Sequence, residues 1–110
     1  MTDAKRAKLS GMLGLAMRAG KVTPGTEQIC TALPKGKVCL VLVSDTASDG
    51  TKKKLRCKCE YYSTRMIEVN IDTEELGRLL GKTYTPAAIA ITDDNFAKAI
   101  DKILSSDESL

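Results

Sequence analysis

Histidine and tryptophan are absent from this 110-residue chain, and phenylalanine occurs once. Without histidine the chain lacks the commonest general base at neutral pH and the commonest metal ligand, which argues against hydrolytic or metal-dependent catalysis. Three tyrosines bring the aromatic residues to four, too few for the rows of stacked bases on which many single-strand binders depend. We therefore expect a non-enzymatic protein that needs no cofactor and no metal.

Long hydrophobic segments are also missing. The longest apolar run is six residues, 38–43, whereas a membrane-spanning helix needs roughly 20. The chain does not open with the charged and then apolar segments of a secretory signal. These absences predict a soluble, cytoplasmic protein with no membrane partner.

The four cysteines, at positions 30, 39, 57 and 59, do not form a recognisable site. Cys57 and Cys59 are separated by one residue, which is not the C-x-x-C spacing of redox and zinc sites. Cys39 lies within an apolar segment, and Cys59 shares a predicted helix face with Leu55 and Tyr62. We expect all four to be small buried hydrophobic residues in a reducing compartment.

The length is that of one domain, but the charge is unevenly distributed along it. Residues 1–58 hold twelve Lys and Arg against four acids, and residues 59–110 hold five against ten. A basic half is what a surface for a polyanion requires. We assign residues 1–104 to a single domain and residues 105–110 to an acidic, flexible tail.

Helices are predicted where apolar residues recur every three or four positions. The predicted helices are 3–18, 26–33, 52–62, a segment between Asp72 and Gly81, and a segment that begins at Asp93 and Asp94. Asp72 and Glu75 have the spacing of a capping box. Short apolar segments between the helices are predicted to be strands: a very short one after Lys21, then 38–43, 66–69 and 87–91.

This alternation predicts an α/β fold, a three-layer α/β/α sandwich around a small mixed, mostly parallel four-stranded sheet. In such sheets the loops that contact ligands gather at one edge of the strands. We therefore expect the turn at 23–26 and the loop at 82–86 to be neighbours. The protein is expected to be a monomer.

Residues 21–33 (Lys-Val-Thr-Pro-Gly-Thr-Glu-Gln-Ile-Cys-Thr-Ala-Leu) form the most informative segment. They predict a short strand, a Pro-Gly turn and a helix whose apolar stripe is at 29, 32 and 33. Thr26, Glu27 and Gln28 therefore cannot all be core residues. A glycine at such a turn lets the backbone approach phosphate, and side chains beside it can reach base edges. The alternative is a well-capped surface helix without a ligand.

Helix 52–62 carries five cations at positions 52, 53, 54, 56 and 58. They cannot all face one ligand, because successive residues diverge by about 100° around a helix. We expect a solvated basic surface, with contacts to phosphate alone if it touches a nucleic acid.

Three motifs together resemble the L-seven-Ae superfamily of small ribosomal proteins that bind kink-turn RNA, and within it the bacterial YlxQ-type members. These motifs are Leu-Ala-Met-Arg-Ala-Gly-Lys at 15–21, Gly-Thr-Glu-Gln at 25–28 and Leu-Gly-Lys at 80–82. The resemblance covers residues 8–104. It implies a single RNA-binding domain and a partner RNA that is bent sharply at a three-nucleotide bulge beside tandem G·A pairs.

The family implies two RNA contacts. In the first, a Gly-Thr-Asn-Glu-x-x-Lys turn enters the major groove: Gly25 and Thr26 match, Glu27 replaces Asn, Gln28 replaces Glu, and Thr31 replaces Lys. Lys21, Lys35 or Lys37 could supply the missing cation. In the second, a loop covers the bulged nucleotides; here it comprises Lys82, Thr83, Tyr84, Thr85 and Pro86.

Two other functions remain open. A protein-interaction module could have kept the fold and lost RNA binding, and the residues at 27 and 31 favour this alternative. A redox factor could use the cysteines, although their spacing argues against it. The sequence does not distinguish ribosomal from messenger RNA as the natural partner.

Overall fold

The computed structural model describes residues 3–81 and 85–105, in which five α-helices alternate with four β-strands. The helices are α1 (Asp3–Arg18), α2 (Thr26–Ala32), α3 (Asp49–Tyr61), α4 (Thr73–Leu79) and α5 (Asp94–Ser105). The strands are β1 (Val22–Pro24), β2 (Leu40–Ser44), β3 (Arg65–Val69) and β4 (Ala88–Ile91). A 3₁₀ turn, Leu33–Lys35, extends α2 and ends at Gly36, whose φ is 70°.

The strands form a mixed sheet in the order β1-β4-β2-β3. This confirms the α/β class and the small mixed four-stranded sheet, in which β1, β2 and β3 run in the same direction and β4 runs opposite to them. Only β2 and β3 pair in parallel, whereas β4 is antiparallel to both β1 and β2. Strand β4 lies between two strands that both run opposite to it. This long-range pairing is not revealed by the alternation of helices and strands along the sequence.

Two apolar clusters lie on opposite faces of the sheet and confirm the three layers. Helices α1, α4 and α5 cover one face, where Leu9, Leu76 and Ile100 pack against Leu42 and Ile89. Helices α2 and α3 cover the other face. They pack against the strand residues that alternate with Leu42 and Ile89 along β2 and β4, such as Val41 and Ala90. Ala88 and Ala90 are small, which suits the close approach of α2 to this face.

Side-chain caps set the first residues of α3 and α4. Helix α3 begins at Asp49 rather than at 52, because the Ser48 side chain accepts a hydrogen bond from the Thr51 amide at 3.2 Å. At α4, the Asp72 carboxylate accepts from the Glu75 amide at 2.8 Å, as the capping box requires. The Glu75 carboxylate, however, pairs with Arg6 at 2.6 Å, which joins α4 to α1.

The predicted tail falls largely beyond the described part of the chain, since residues 106–110 lie outside it. Ser105 is the last residue of α5, and its hydroxyl is 3.1 Å from the Asp101 carboxylate. Among the helices of the described residues, none is long and apolar enough to cross a membrane.

Candidate nucleic-acid interface

Several chain connections meet at one end of the sheet. The amide of Gly25, which follows β1, donates to the carbonyl of Ala88 at 2.9 Å. The amide of Ser44 at the end of β2 donates to Ala87, and that of Asp45 donates to Val69, both at 2.9 Å. The turn before α2 is therefore fixed to the first residue of β4, next to the loop that leads into α3.

Gly25 has a backbone conformation that requires glycine. Its φ is 99° and its ψ is 138°, values that a residue with a Cβ rarely adopts. A Cβ here would also meet the side-chain amide oxygen of Gln28, which folds back over the glycine. The Gly25 carbonyl accepts from the Ile29 amide at 3.0 Å. The Gln28 side chain therefore lies directly over Gly25 at the start of α2.

One face of α2 brings together four of the predicted contact residues, Glu27, Gln28, Thr31 and Lys35. They line a shallow depression of about 270 Å³. We call this surface the α2 face; it comprises Glu27, Gln28, Thr31, Ala32 and Lys35. The opposite side of the helix is anchored by Ile29 and Leu33, which are buried in the core. Since the α2 face is exposed and carries donors, acceptors and a cation, it can make polar contacts with a large ligand.

Two residues of the α2 face that depart from the family motif have partners within the protein. The Glu27 carboxylate pairs with the Lys54 ammonium of α3 at 3.2 Å. The Thr31 hydroxyl donates to the Glu27 carbonyl at 3.0 Å, one turn earlier in the helix. The ion pair offsets the anion at position 27, while the Thr31 oxygen can still accept a hydrogen bond.

Lys21 lies away from the α2 face. Its carbonyl accepts from the Thr92 amide at 2.9 Å, beyond the carboxyl end of β4, whereas Gly25 bonds to Ala88 at the opposite end of that strand. Four residues of extended chain between Lys21 and Gly25 span about 13 Å. Thr26 lies at the first position of α2, where it is half-buried.

The second predicted contact falls mainly on Lys82, Thr83 and Tyr84, which lie outside the described residues. Thr85 is exposed, and Pro86, two residues before the start of β4, is buried. Because Gly25 bonds to Ala88, the described end of this loop lies close to the turn before α2. This proximity agrees with the expectation that the two connections are neighbours.

Sequence reasoning missed how α3 takes part in this region. Lys52 bonds to the Asp45 carbonyl at 2.7 Å and pairs with Glu68 at 2.9 Å. Lys54 pairs with Glu27, as described above, so these two lysines are not simply part of a solvated surface. Ion pairs between residues 27 positions apart leave no signal in a single sequence.

The cysteines differ from one another more than expected. Cys59 is buried, Cys30 and Cys39 are half-buried, and Cys57 is exposed, so the expectation of four buried thiols was wrong. Burial raises the pKa of the Cys59 thiol to about 11, with a smaller contribution from Cys30. Burial also raises the pKa of Cys39, as do Asp94 and Asp93. Within residues 3–81 and 85–105, no group of three or more Cys, Asp or Glu side chains could hold a metal ion.

The fold is that of a class of small ribosomal-protein-like domains. The sequence profile of the ribosomal protein L7Ae/L30e/S12e/Gadd45 family matches residues 7–101. The chain therefore belongs to this family, as the three sequence motifs indicated.

Individual relatives narrow the class further. The chain is similar to RNA-binding protein YlxQ of Enterococcus faecium, with 33% identity over 104 residues that cover 94% of this chain and 98% of that protein. It is also similar to RNA-binding protein YlxQ of Bacillus subtilis, with 36% identity over 93 residues that cover 84% and 91% of the two chains. These relatives match the YlxQ-type branch that the motifs indicated.

Solved structures agree with the fold. A protein of unknown function from Bacillus halodurans C has a TM-score of 0.84 and 35% identity, over 91% of this chain and 99% of that one. The 15.5kD RNA binding protein of Giardia lamblia has a TM-score of 0.75 over 94% of this chain and 88% of that one. At 16% identity, the latter likeness concerns the fold alone.

Proposed function

We propose that this chain is a non-catalytic RNA-binding protein that recognises a kink-turn, an RNA helix bent at a bulge beside tandem G·A pairs. The observation that carries the proposal is the placement of Gln28 over Gly25 on the exposed α2 face. The relatives that are named RNA-binding proteins support RNA as the partner. The proposal rests on this site, because the same fold can serve other functions.

Each contact has a chemical role. The Gln28 amide offers both a donor and an acceptor, which a base edge in a groove requires. Gly25 has no Cβ, and this leaves room for the Gln28 side chain to lie over the turn where it would meet the RNA. Lys35, and Lys82 in the second loop, supply positive charge for phosphates, and Thr83, Tyr84 and Thr85 cover the bulge. The hydroxyl groups of Thr26 and Thr31 add further hydrogen-bonding groups. Lys21 contacts the RNA only if an RNA strand extends along β1.

We further propose that the protein acts as a monomer in the cytoplasm, on a structured RNA connected with translation such as ribosomal or messenger RNA. The basic first half of the chain is suited to such a partner. The alternative of a protein-interaction module is supported by Glu27, which pairs with Lys54. Its carboxylate stands where a neutral amide would suit RNA better. An experiment with RNA decides between them.

The experiment measures binding to a kink-turn RNA and to a control in which Watson–Crick pairs replace the tandem G·A pairs. We expect preference for the kink-turn at moderate salt. Gln28→Ala is expected to cost about 1–3 kcal/mol of binding free energy on the kink-turn alone, which is the scale of a good base contact. Glu27→Asn is expected to tighten binding, because it removes an anion from a surface that would lie close to RNA phosphates.

Equal affinity for both RNAs, in the wild type and in Glu27→Asn alike, would contradict the proposal and favour the interaction module. A loss in Gln28→Ala that is the same on both RNAs would mean that Gln28 contacts phosphate or sugar rather than a base edge. Circular dichroism of each variant checks that the fold is intact.

A further inference from the structure

An aromatic ring stands in solvent near the end of α3. Tyr61 is 80% exposed, and Leu15 on α1 is the other exposed large hydrophobic residue in the described part of the chain. The Tyr61 ring meets Tyr62 edge-to-face, with centroids 4.8 Å apart and an interplanar angle of 81°. Tyr62 is half-buried and packs against the core cluster under α3. The Tyr61 ring therefore contacts a tyrosine that is packed against the core, while most of its own surface remains accessible to solvent.

The ring forms one end of a groove that runs along α3. Its volume is about 440 Å³, and it is lined by Lys54, Cys57, Lys58, Tyr61 and Tyr62. We call this the α3 groove. Lys54, Lys58 and Tyr61 are spaced by four and three residues, so they lie on one side of the helix. None of the lining residues is acidic, so the groove combines positive charge with one exposed aromatic ring.

We propose that the α3 groove binds a single-stranded segment of RNA, with a base stacked on Tyr61 and phosphates on Lys54 and Lys58. Nucleic acid bases have a π face that stacks on tyrosine, and their linking phosphates match the two ammonium groups. An acidic peptide would satisfy the lysines and leave the tyrosine ring exposed. Because stacking does not distinguish bases, the groove accepts different sequences.

The groove is continuous with the α2 face. Lys54 belongs to the groove and at the same time pairs with Glu27 on the α2 face. From Lys54 to Tyr61 the helix rises about 10 Å. A strand that leaves a structured RNA bound at α2 can therefore follow α3 as far as Tyr61. This inference rests on the proposed function, because the α2 face and the α3 groove would bind the same RNA molecule.

The test compares three RNAs: the blunt kink-turn, the same kink-turn with a short oligouridine extension at either end, and free oligouridine. We expect one of the two extensions to tighten binding about tenfold, the scale of one stacked base. Tyr61→Ala and Lys58→Ala are expected to remove that gain and to leave binding of the blunt RNA unchanged. Tyr61→Phe is expected to retain it, since the ring remains.

Lys53→Ala provides the matched charge control. Lys53 is exposed on the same helix but is not among the groove residues, because it is turned about 100° from Lys54. This variant is expected to keep the tenfold gain. Alkylation of the exposed Cys57, followed by peptide mass spectrometry, gives an independent readout: the extended RNA is expected to protect Cys57, and the blunt RNA is not.

Failure of this inference can be told apart from failure of the proposed function. If the blunt kink-turn binds, but the extension adds nothing or its gain survives in Tyr61→Ala, the groove proposal is wrong and the proposed function stands. If the kink-turn shows no preference while free oligouridine still protects Cys57 in a Tyr61-dependent way, only the proposed function fails. Protection of Cys57 by polyglutamate but not by oligouridine would make the groove a surface for acidic protein and would overturn the inference.

Discussion

At the residue scale, the turn before α2 shows how one glycine determines the position of a polar side chain. Gly25 adopts a positive φ and leaves the space above it to the Gln28 amide. A larger residue would strain the backbone and displace Gln28 at the same time. The backbone conformation of Gly25 and the position of the Gln28 side chain are thus coupled, which the motif at 25–28 did not reveal.

Cys59 is a residue whose chemistry affects stability rather than binding. It is 2% exposed, and its folded-state pKa is about 11, against an ordinary value of 9.0. Below pH 9 the thiol is protonated in both states, so its contribution to stability is constant. Above pH 9 the unfolded chain loses this proton first, and the stability gained from Cys59 is lost as pH rises through about 11.

We therefore expect wild-type unfolding free energy to fall more steeply between pH 9 and 11 than that of Cys59→Ala, by about 2 kcal/mol in total. Urea unfolding at a series of pH values measures both curves. Cys57→Ala is the matched control, because that thiol is exposed, and it should follow the wild type. Parallel curves for the wild type and Cys59→Ala would contradict this prediction, because ionisation of Cys59 would then not contribute to the loss of unfolding free energy.

At the element scale, the short helix α4 depends on its first turn. It has only seven residues, and a helix this short gains little from propensity alone. The Asp72 carboxylate satisfies the Glu75 amide, while the Glu75 carboxylate bonds to Arg6 on α1. The cap and the ion pair therefore fix α4 both to its own backbone and to the neighbouring helix.

Asp72→Ala is expected to lower the unfolding free energy by about 1 kcal/mol, the usual cost of a lost N-cap. Asp72→Asn is expected to change it little, because asparagine caps a helix about as well as aspartate does. Chemical denaturation of the two variants makes the comparison. An equal loss in both would point to the charge at position 72 rather than to the hydrogen bond.

Elements also show what could be predicted from the sequence. Helix α1 was predicted with its observed bounds, since the apolar residues Leu9, Leu13 and Ala16 recur at helical spacing and a glycine follows. The start of α3 was placed three residues late, because the Ser48 cap was read as part of a loop. Local periodicity thus specifies where helices occur, whereas their ends depend on individual hydrogen bonds.

The remainder of the candidate site depended on tertiary contacts. The position of β4 between β1 and β2 follows from pairing across more than forty residues, which the alternation of elements does not encode. The Glu27–Lys54 ion pair and the exposure of Tyr61 likewise arise from how α2 and α3 pack. Resemblance to the family identified the α2 turn, because the motif at 25–28 is local in the chain.

At the scale of the whole molecule, the two helical layers give the protein two distinct surfaces. The α2 face and the α3 groove belong to one layer, and α1, α4 and α5 form the other. The smallest dimension of the molecule is 27 Å, while charges are screened over about 8 Å at physiological salt. Cations on the far layer are therefore expected to contribute little to the RNA binding proposed for the α2 face.

This difference in position gives the last prediction. Lys35→Ala, on the α2 face, is expected to weaken binding to the kink-turn and to straight duplex alike, and to reduce the slope of log K against log salt by about one. Lys102→Ala removes the same charge from exposed α5 on the other layer, and it is expected to change neither affinity nor slope. Titrations at several salt concentrations measure both. Similar losses in the two variants would mean that net charge, rather than the α2 face, attracts the RNA.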